Sequence, residues 1–232
     1  MKRLIISLCI LISLFYVSHE TSFAGDSLAY FRQQVNYLLG TYYEYSFPDS
    51  VKNQFINDAC EEIVLYVVDQ VPCIEKLDTI ILSAGTIQYS YNADLFMIYA
   101  LKQLRATKQA LDRISIEDVG KRPFAGLDNP STASKWSNKL YFDPKPTSTD
   151  TFLVFYNAHA NKMTANGDTT YLPKAFREFI PIYVKAKLFM RSGDEDLANV
   201  YLDRFYKGLA VKIQVLANQK FDIKILPQVI PR

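Results

Sequence analysis

The apolar residues of this chain change their period twice, and that order limits the fold more than any single motif. From Leu28 to Val67 they recur every three or four residues, as on one face of a helix. Between Thr79 and Tyr156 short β-branched and aromatic runs alternate with a period near two, and after Pro173 the helical spacing returns and holds to Leu216. Two helices, a set of antiparallel strands and two further helices predict an α+β fold. The terminal helices are expected to pack together as a bundle around an antiparallel β-hairpin region.

Local signals place the elements. Ser27 caps a first helix through Leu28, Phe31, Val35, Leu38 and Leu39, which Gly40 stops. Pro48-Asp49-Ser50 opens a second helix carrying Val51, Phe55, Ile56, Ala59, Ile63 and Val67, and it ends before Pro72. Thr79-Ile80-Ile81-Leu82 and Ile87-Gln88-Tyr89-Ser90-Tyr91 flank a Ser83-Ala84-Gly85-Thr86 turn, which reads as a hairpin. Residues 96–104 form another extended run after the Asn92-Ala93-Asp94 turn, although its Leu and Ala leave a helix open. Ser115-Ile116-Glu117-Asp118 reads as a single helical turn.

Residues 120–138 lose periodicity and collect Pro123, Gly126, Asn129, Pro130 and Ser131, which predicts a long loop with Trp136 as its bulky anchor. Residues 138–142 and 151–156 read as a second hairpin. Beyond Leu172-Pro173, Phe176, Phe179, Ile180, Tyr183, Ala186 and Met190 predict a helix that Pro181 should kink and Ser192-Gly193-Asp194 should end. The last helix carries Ala198, Tyr201, Leu202, Phe205, Leu209, Ile213 and Leu216, with Gly208 weakening it by about 1 kcal/mol. Residues 223–232, with Pro227 and Pro231, read as an extended tail, so residues 25–222 make one domain.

The N-terminus has the pattern of an export signal. Lys2 and Arg3 precede an apolar run over residues 4–17, and Ser22-Phe23-Ala24 is a small-residue site with cleavage expected before Gly25. The run is shorter than the roughly 20 residues that span a bilayer, so no permanent membrane span is predicted. Removal of residues 1–24 leaves two cysteines, Cys60 and Cys73, and one histidine, His159. Cys60 falls mid-helix and the helix runs on beyond it, so a bridge to Cys73 would need an abrupt reversal; buried free thiols are expected instead.

The chemistry that most enzymes need is missing from the pattern. His159 stands in a turn-like stretch, Asn157-Ala158-His159-Ala160-Asn161, with no nucleophile beside it, and it reads as a surface residue. There is no nucleophile elbow, Walker loop, dinucleotide fingerprint or zinc-protease motif. Two cysteines and one histidine make no zinc set, and Gly193-Asp194-Glu195-Asp196 lacks calcium-loop spacing and suits a helix start. Glu61 and Glu62 are helix neighbours that point apart. No catalytic, cofactor or metal residue is therefore assigned. A formal net charge of +2 predicts no strong field for nucleic acid. The tyrosines at 37, 42, 43 and 45 and the basic residues Lys102, Arg105, Lys108, Arg113, Lys121 and Arg122 read as half-buried rings and a solvated face, not as sequence-specific nucleic-acid recognition.

Four segments in order carry a resemblance. Residues 79–91 with their Ala84-Gly85-Thr86-Ile87-Gln88-Tyr89 turn, then Asp94-Leu95-Phe96, then Leu140-Tyr141-Phe142-Asp143-Pro144-Lys145-Pro146 with Leu153-Val154-Phe155-Tyr156, and finally Leu172-Pro173 before a helix pair, resemble the head-tail adaptor (neck, or head-completion) proteins of tailed phages. The resemblance spans roughly residues 27–225. It implies a virion structural protein without catalysis or cofactor, forming a ring, usually dodecameric, beneath the portal and binding portal and tail components. It further implies that the tail contacts the portal, with Ile223, Ile225, Leu226, Val229 and Ile230 as the contact candidates, and that the long loop meets a neighbouring subunit or tail component.

Two features depart from that pattern. Pro181 interrupts a helix that such proteins keep continuous. The export signal conflicts with assembly in the cytoplasm of an infected cell, which leaves an alternative: an exported bacterial α+β binding or assembly module of the cell envelope, periplasmic or secreted.

Overall fold

The computed structural model describes residues 26–40, 46–71, 73–104, 111–119 and 130–221, with side chains undescribed at 113 and 219–221. The predicted signal over 1–24, residues 120–129 of the predicted loop and the predicted tail over 223–232 lie outside the described residues, as do Tyr42, Tyr43, Tyr45, Arg105, Lys108, Lys121 and Arg122.

The helices form where local sequence dictates. Helix α1 (Leu28–Leu39) starts where the Ser27 hydroxyl accepts the Tyr30 N–H at 3.2 Å, and it stops at Gly40 with φ 74°. Helix α2 (Asp49–Val67) buries Ile56, Ala59, Cys60, Ile63 and Val64. After the short α3 (Lys174–Arg177), α4 (Ile180–Ser192) ends at left-handed Gly193, and Asp194 then accepts the Leu197 N–H to start α5 (Glu195–Phe221). Helix α4 packs on α5, α2 and α1, so N- and C-terminal helices share one bundle. The expected α+β fold is observed.

Pro181 does not kink a helix. It sits in the first turn of α4, where its missing N–H would have no helical partner in any case, and the chain breaks between α3 and α4 instead.

Between the helices, the described residues form seven strands in two sheets. One has the order β1 (Glu75–Leu82), β7 (Asp150–Ala158), β3 (Leu95–Gln103), all antiparallel. The other has the order β2 (Gln88–Ser90), β6 (Lys139–Asp143), β5 (Thr132–Trp136), β4 (Asp112–Arg113), with β4 parallel to β5. A 3-10 turn over Ile116–Asp118 is capped by Ser115, as the sequence predicts. The run expected to be extended after Asp94 is strand β3.

Neither predicted hairpin exists. Residues 79–82 belong to β1, which pairs with β7, whereas residues 88–90 pair with β6. The turn between them closes on itself: the Tyr89 hydroxyl accepts the Ser83 N–H at 2.7 Å and donates back to carbonyls of the turn, while the Gly85 N–H reaches the Pro146 carbonyl at 2.7 Å. The chain thereby passes from one sheet to the other. Likewise β6 pairs with β5, so the predicted long loop contains a strand whose small Thr, Ala and Ser give no alternating apolar signal. Trp136 ends that strand 57 % exposed, so it is not the buried anchor expected. The sheets meet through Phe142 and Phe152, both fully buried with ring centroids 5.5 Å apart.

Candidate functional site

The reactive side chains are engaged in structure. Glu61 on α2 takes His159 Nδ1 at 2.5 Å and the Ala160 N–H at 3.0 Å, tying the end of β7 to the bundle, and the His159 ring meets Phe96 edge-on. The predicted surface histidine is thus half-buried and held. Glu62 points elsewhere and accepts the Tyr206 hydroxyl at 2.7 Å, so the two neighbouring carboxylates diverge as expected. Cys60 and Cys73 are free and buried, and burial pushes both thiols up to about 12. Among the described residues no cluster of His, Cys, Asp and Glu could hold a metal, and no helix is long and apolar enough to cross a membrane.

Asp94 is the polar hub of the first sheet. It sits before β3 and joins Lys76 of β1 to the Tyr156 hydroxyl of β7, the latter at 3.0 Å. Burial alone would raise its carboxyl, but the Lys76 ammonium and the Tyr156 hydroxyl outweigh it and hold the group below the ordinary carboxylate value. The same burial and the adjacent carboxylate push the Tyr156 phenol up to about 12.

The other face of this sheet is the surface that stands out. Inward lie Ile80, Leu82, Phe152, Val154, Tyr156, Ile98 and Leu101, all buried. Outward, Leu77 pairs with Phe155 and Thr79 with Leu153, while Tyr99 lies 6.2 Å from the Phe155 ring and the Lys102 ammonium sits 5.3 Å over it. Leu77 is 57 % and Ile81 62 % exposed, and Leu104 beside them is exposed too. An antiparallel sheet with one solvated face alternates apolar and polar residues. Here β7 runs Phe152-Leu153-Val154-Phe155-Tyr156 without a polar residue, the pattern of a strand covered on both sides, and the described residues cover one.

A second concavity, of about 740 Å³, lies among α1, α3, α4 and α5 and is lined by Tyr30, Tyr37, Leu38, Ile182, Tyr201 and Arg204 together with other residues. Tyr37 on its rim is largely exposed, not half-buried as the sequence suggests. At its edge Arg177 ties two segments together, donating to the Leu172 carbonyl at 2.7 Å and to Asp26 at 2.9 Å, with the Thr170 carbonyl at 3.5 Å.

The family model described as SU10 adaptor protein matches residues 27–222. The chain belongs to the SU10 adaptor protein family. The family is one of phage adaptor proteins, a structural kind. A search of curated proteins finds no match to the chain.

Two of the segments that carried the resemblance meet in this adaptor. The Gly85 turn and the 140–146 segment lie where its two sheets adjoin, linked by the Gly85 to Pro146 hydrogen bond and by the Phe142 N–H donated to the Ile87 carbonyl at 2.8 Å, whereas Asp94 ties the far end of the first sheet through Lys76 and Tyr156. The five portal-contact candidates, Ile223, Ile225, Leu226, Val229 and Ile230, lie outside the described residues. Leu77, Ile81 and Tyr99 were not singled out from sequence, although the unbroken apolar run of β7 carried the signal.

Proposed function

We propose that this adaptor self-associates into a ring, dodecameric by its resemblance to neck proteins, beneath the portal, and so joins head to tail. The observation that carries the reading is the open face of the β1–β7–β3 sheet. A contiguous apolar surface on a structural protein marks an interaction site. Residues 25–222 form the ring-building domain. The tail over 223–232 binds the portal through Ile223, Ile225, Leu226, Val229 and Ile230, because an extended apolar segment gains order on docking while giving up little structure of its own.

Family membership favours the virion over the exported envelope module. In this reading the N-terminal segment stays on the chain and does not act as a signal. Intact mass measurement of the protein recovered from purified particles and from cell fractions tests this: an uncleaved chain in particles supports it, and a periplasmic species beginning at Gly25 overturns it. Deletion of residues 223–232 should abolish portal binding while leaving the folded domain intact by circular dichroism. Retained binding would remove the tail from this role.

A further inference from the structure

The concavity beside α1 is a groove with two distinct ends. One wall is the α1 face that carries Tyr30, Gln34, Tyr37 and Leu38 at helical spacing. At one end Asp26 holds Arg177 at 2.9 Å, and at the other the Lys185 ammonium donates to the Leu38 carbonyl at 2.6 Å, so the stretch from α3 into α4 runs alongside α1 in the same direction. Helix α5 runs the opposite way: Lys212 meets Glu178 at 3.3 Å, whereas the Lys185 ammonium sits 4.4 Å over the Tyr201 ring. Buried Pro181 and half-buried Ile182 and Tyr201 line the space, and Tyr37 on its rim is 83 % exposed.

The acids of the groove are already engaged, Asp26 by Arg177 and Glu178 by Lys212. Lys174 and Arg204 also line it, and their side chains make no ion pair or hydrogen bond among the described residues, which leaves an aromatic bed with positive charge to spare. The Cα–Cβ bond of a helical residue tilts toward the N-terminus of its helix, which for Arg204 is the Tyr201 end. The described chain begins at Asp26, at the other end of the groove. Before it stand Glu20-Thr21-Ser22-Phe23-Ala24-Gly25, with one large ring and one acid. From Ser27 to Leu38 is about 17 Å at the rise of a helix. Residues 20–25 in extended form cover about 20 Å.

We propose that residues 20–25 fold back along α1 and fill the groove of their own chain, with Phe23 against Tyr30 and Ile182 and with Glu20 on Arg204. The inference rests on the reading above that the N-terminal segment stays on the chain, and it gives the end of that segment a seat. Three features choose this occupant. The segment is joined to the groove at Asp26, so it docks at high effective concentration. Gly25, without a Cβ, permits the reversal that an antiparallel entry needs. With the exit fixed at Asp26, Glu20 falls toward the Leu38 and Tyr201 end, to which Arg204 tilts with its charge uncompensated among the described residues.

The test uses the purified full chain with a single tryptophan, Phe23→Trp in a Trp136→Phe background, with intact mass and circular dichroism measured on the same sample. Acrylamide should quench the introduced indole severalfold less than it does in a free peptide of residues 18–28 carrying the same substitution, and to the same extent at micromolar and nanomolar protein. Arg204→Glu, at an exposed position, should raise quenching toward the peptide's value, and Glu20→Arg added to it should lower quenching again. Ile182→Ala should also raise it. Free quenching in an uncleaved, folded chain overturns the docking and leaves the adaptor reading in place. Protection that disappears on dilution means that the groove of a neighbouring copy takes the segment, and it overturns the proposal. Protection that Arg204→Glu leaves unchanged overturns the placement of Glu20. A chain that begins at Gly25 overturns both the docking and the reading that the segment is retained.

Discussion

The Cε1 atom of Phe179 lies 2.5 Å from the point where a Cβ on Gly208 would stand. Gly208 is therefore no mere weak point of α5. It is the place where the helix comes close under the ring that precedes α4, and Phe179 is buried there with Ile180 and Phe205 around it in the same core. Gly208→Ala improves helix propensity by about 1 kcal/mol, but overpacking a buried ring costs about 1–3 kcal/mol. The expected outcome is a net loss on the order of 1 kcal/mol in chemical denaturation. A gain in stability would show that the ring moves aside freely.

Acid should act on the first sheet through Asp94. Its carboxyl is held below the ordinary value of 3.8, so the folded chain binds that proton less readily than the unfolded chain does. The contribution is complete above about pH 4 and fades as pH falls through 3.8 and then through the depressed folded value. Asp168 acts in the same sense, because the Ala165 and Thr164 N–H groups donate to its exposed carboxylate. Asp94→Asn should flatten the acid limb of a stability-against-pH curve while changing little of its slope above pH 6. An acid limb as steep as that of the native chain would remove Asp94 from this role.

The thiols at Cys60 and Cys73 should be inert in the folded protein. With both pushed up to about 12 by burial, almost no thiolate exists at pH 8, and the thiolate is the species that reacts. Iodoacetamide followed by peptide mapping should leave both unmodified under native conditions and modify both in denaturant. Rapid native labelling at either site would mean that the bundle opens there.

What could be read from sequence was whatever is decided within a few residues. Ser27 caps Tyr30, Asp194 caps Leu197, and Gly193 ends α4 in a left-handed conformation, each a contact between near neighbours. Strand partners are not decided so locally. The alternation of Ile80 and Leu82 says which face is inward, but their partners, Phe152 and Asp150, lie about seventy residues on, and Tyr89 pairs with Leu140. Thr132, Ala133 and Ser134 are buried yet small, so β5 has no apolar rhythm to detect. The exposed sheet face was half legible: the Phe152 to Tyr156 run announces two covered faces, but not that the described residues cover only one of them.

Asn57 on α2 makes the last prediction. Its side-chain amide behaves like a strand neighbour to Met163, accepting the Met163 N–H at 2.8 Å and donating to the Met163 carbonyl at 2.9 Å, while also reaching the Asn53 carbonyl. Met163 is buried, so its backbone groups have no water to turn to. Truncation therefore removes both hydrogen bonds to Met163, besides the one to Asn53, and strands both Met163 backbone groups, a loss that costs about 1–3 kcal/mol for each buried group left unpaired. Asn57→Ala should lower stability by roughly 2–4 kcal/mol, far more than exposed Asn199→Ala on α5, and hydrogen exchange should speed up first at Met163. Asn57→Asp keeps the acceptor and loses the donor, so it should protect the Met163 amide while still lowering stability. If Asn57→Ala left exchange at Met163 unchanged, Asn57 would not be what protects that amide.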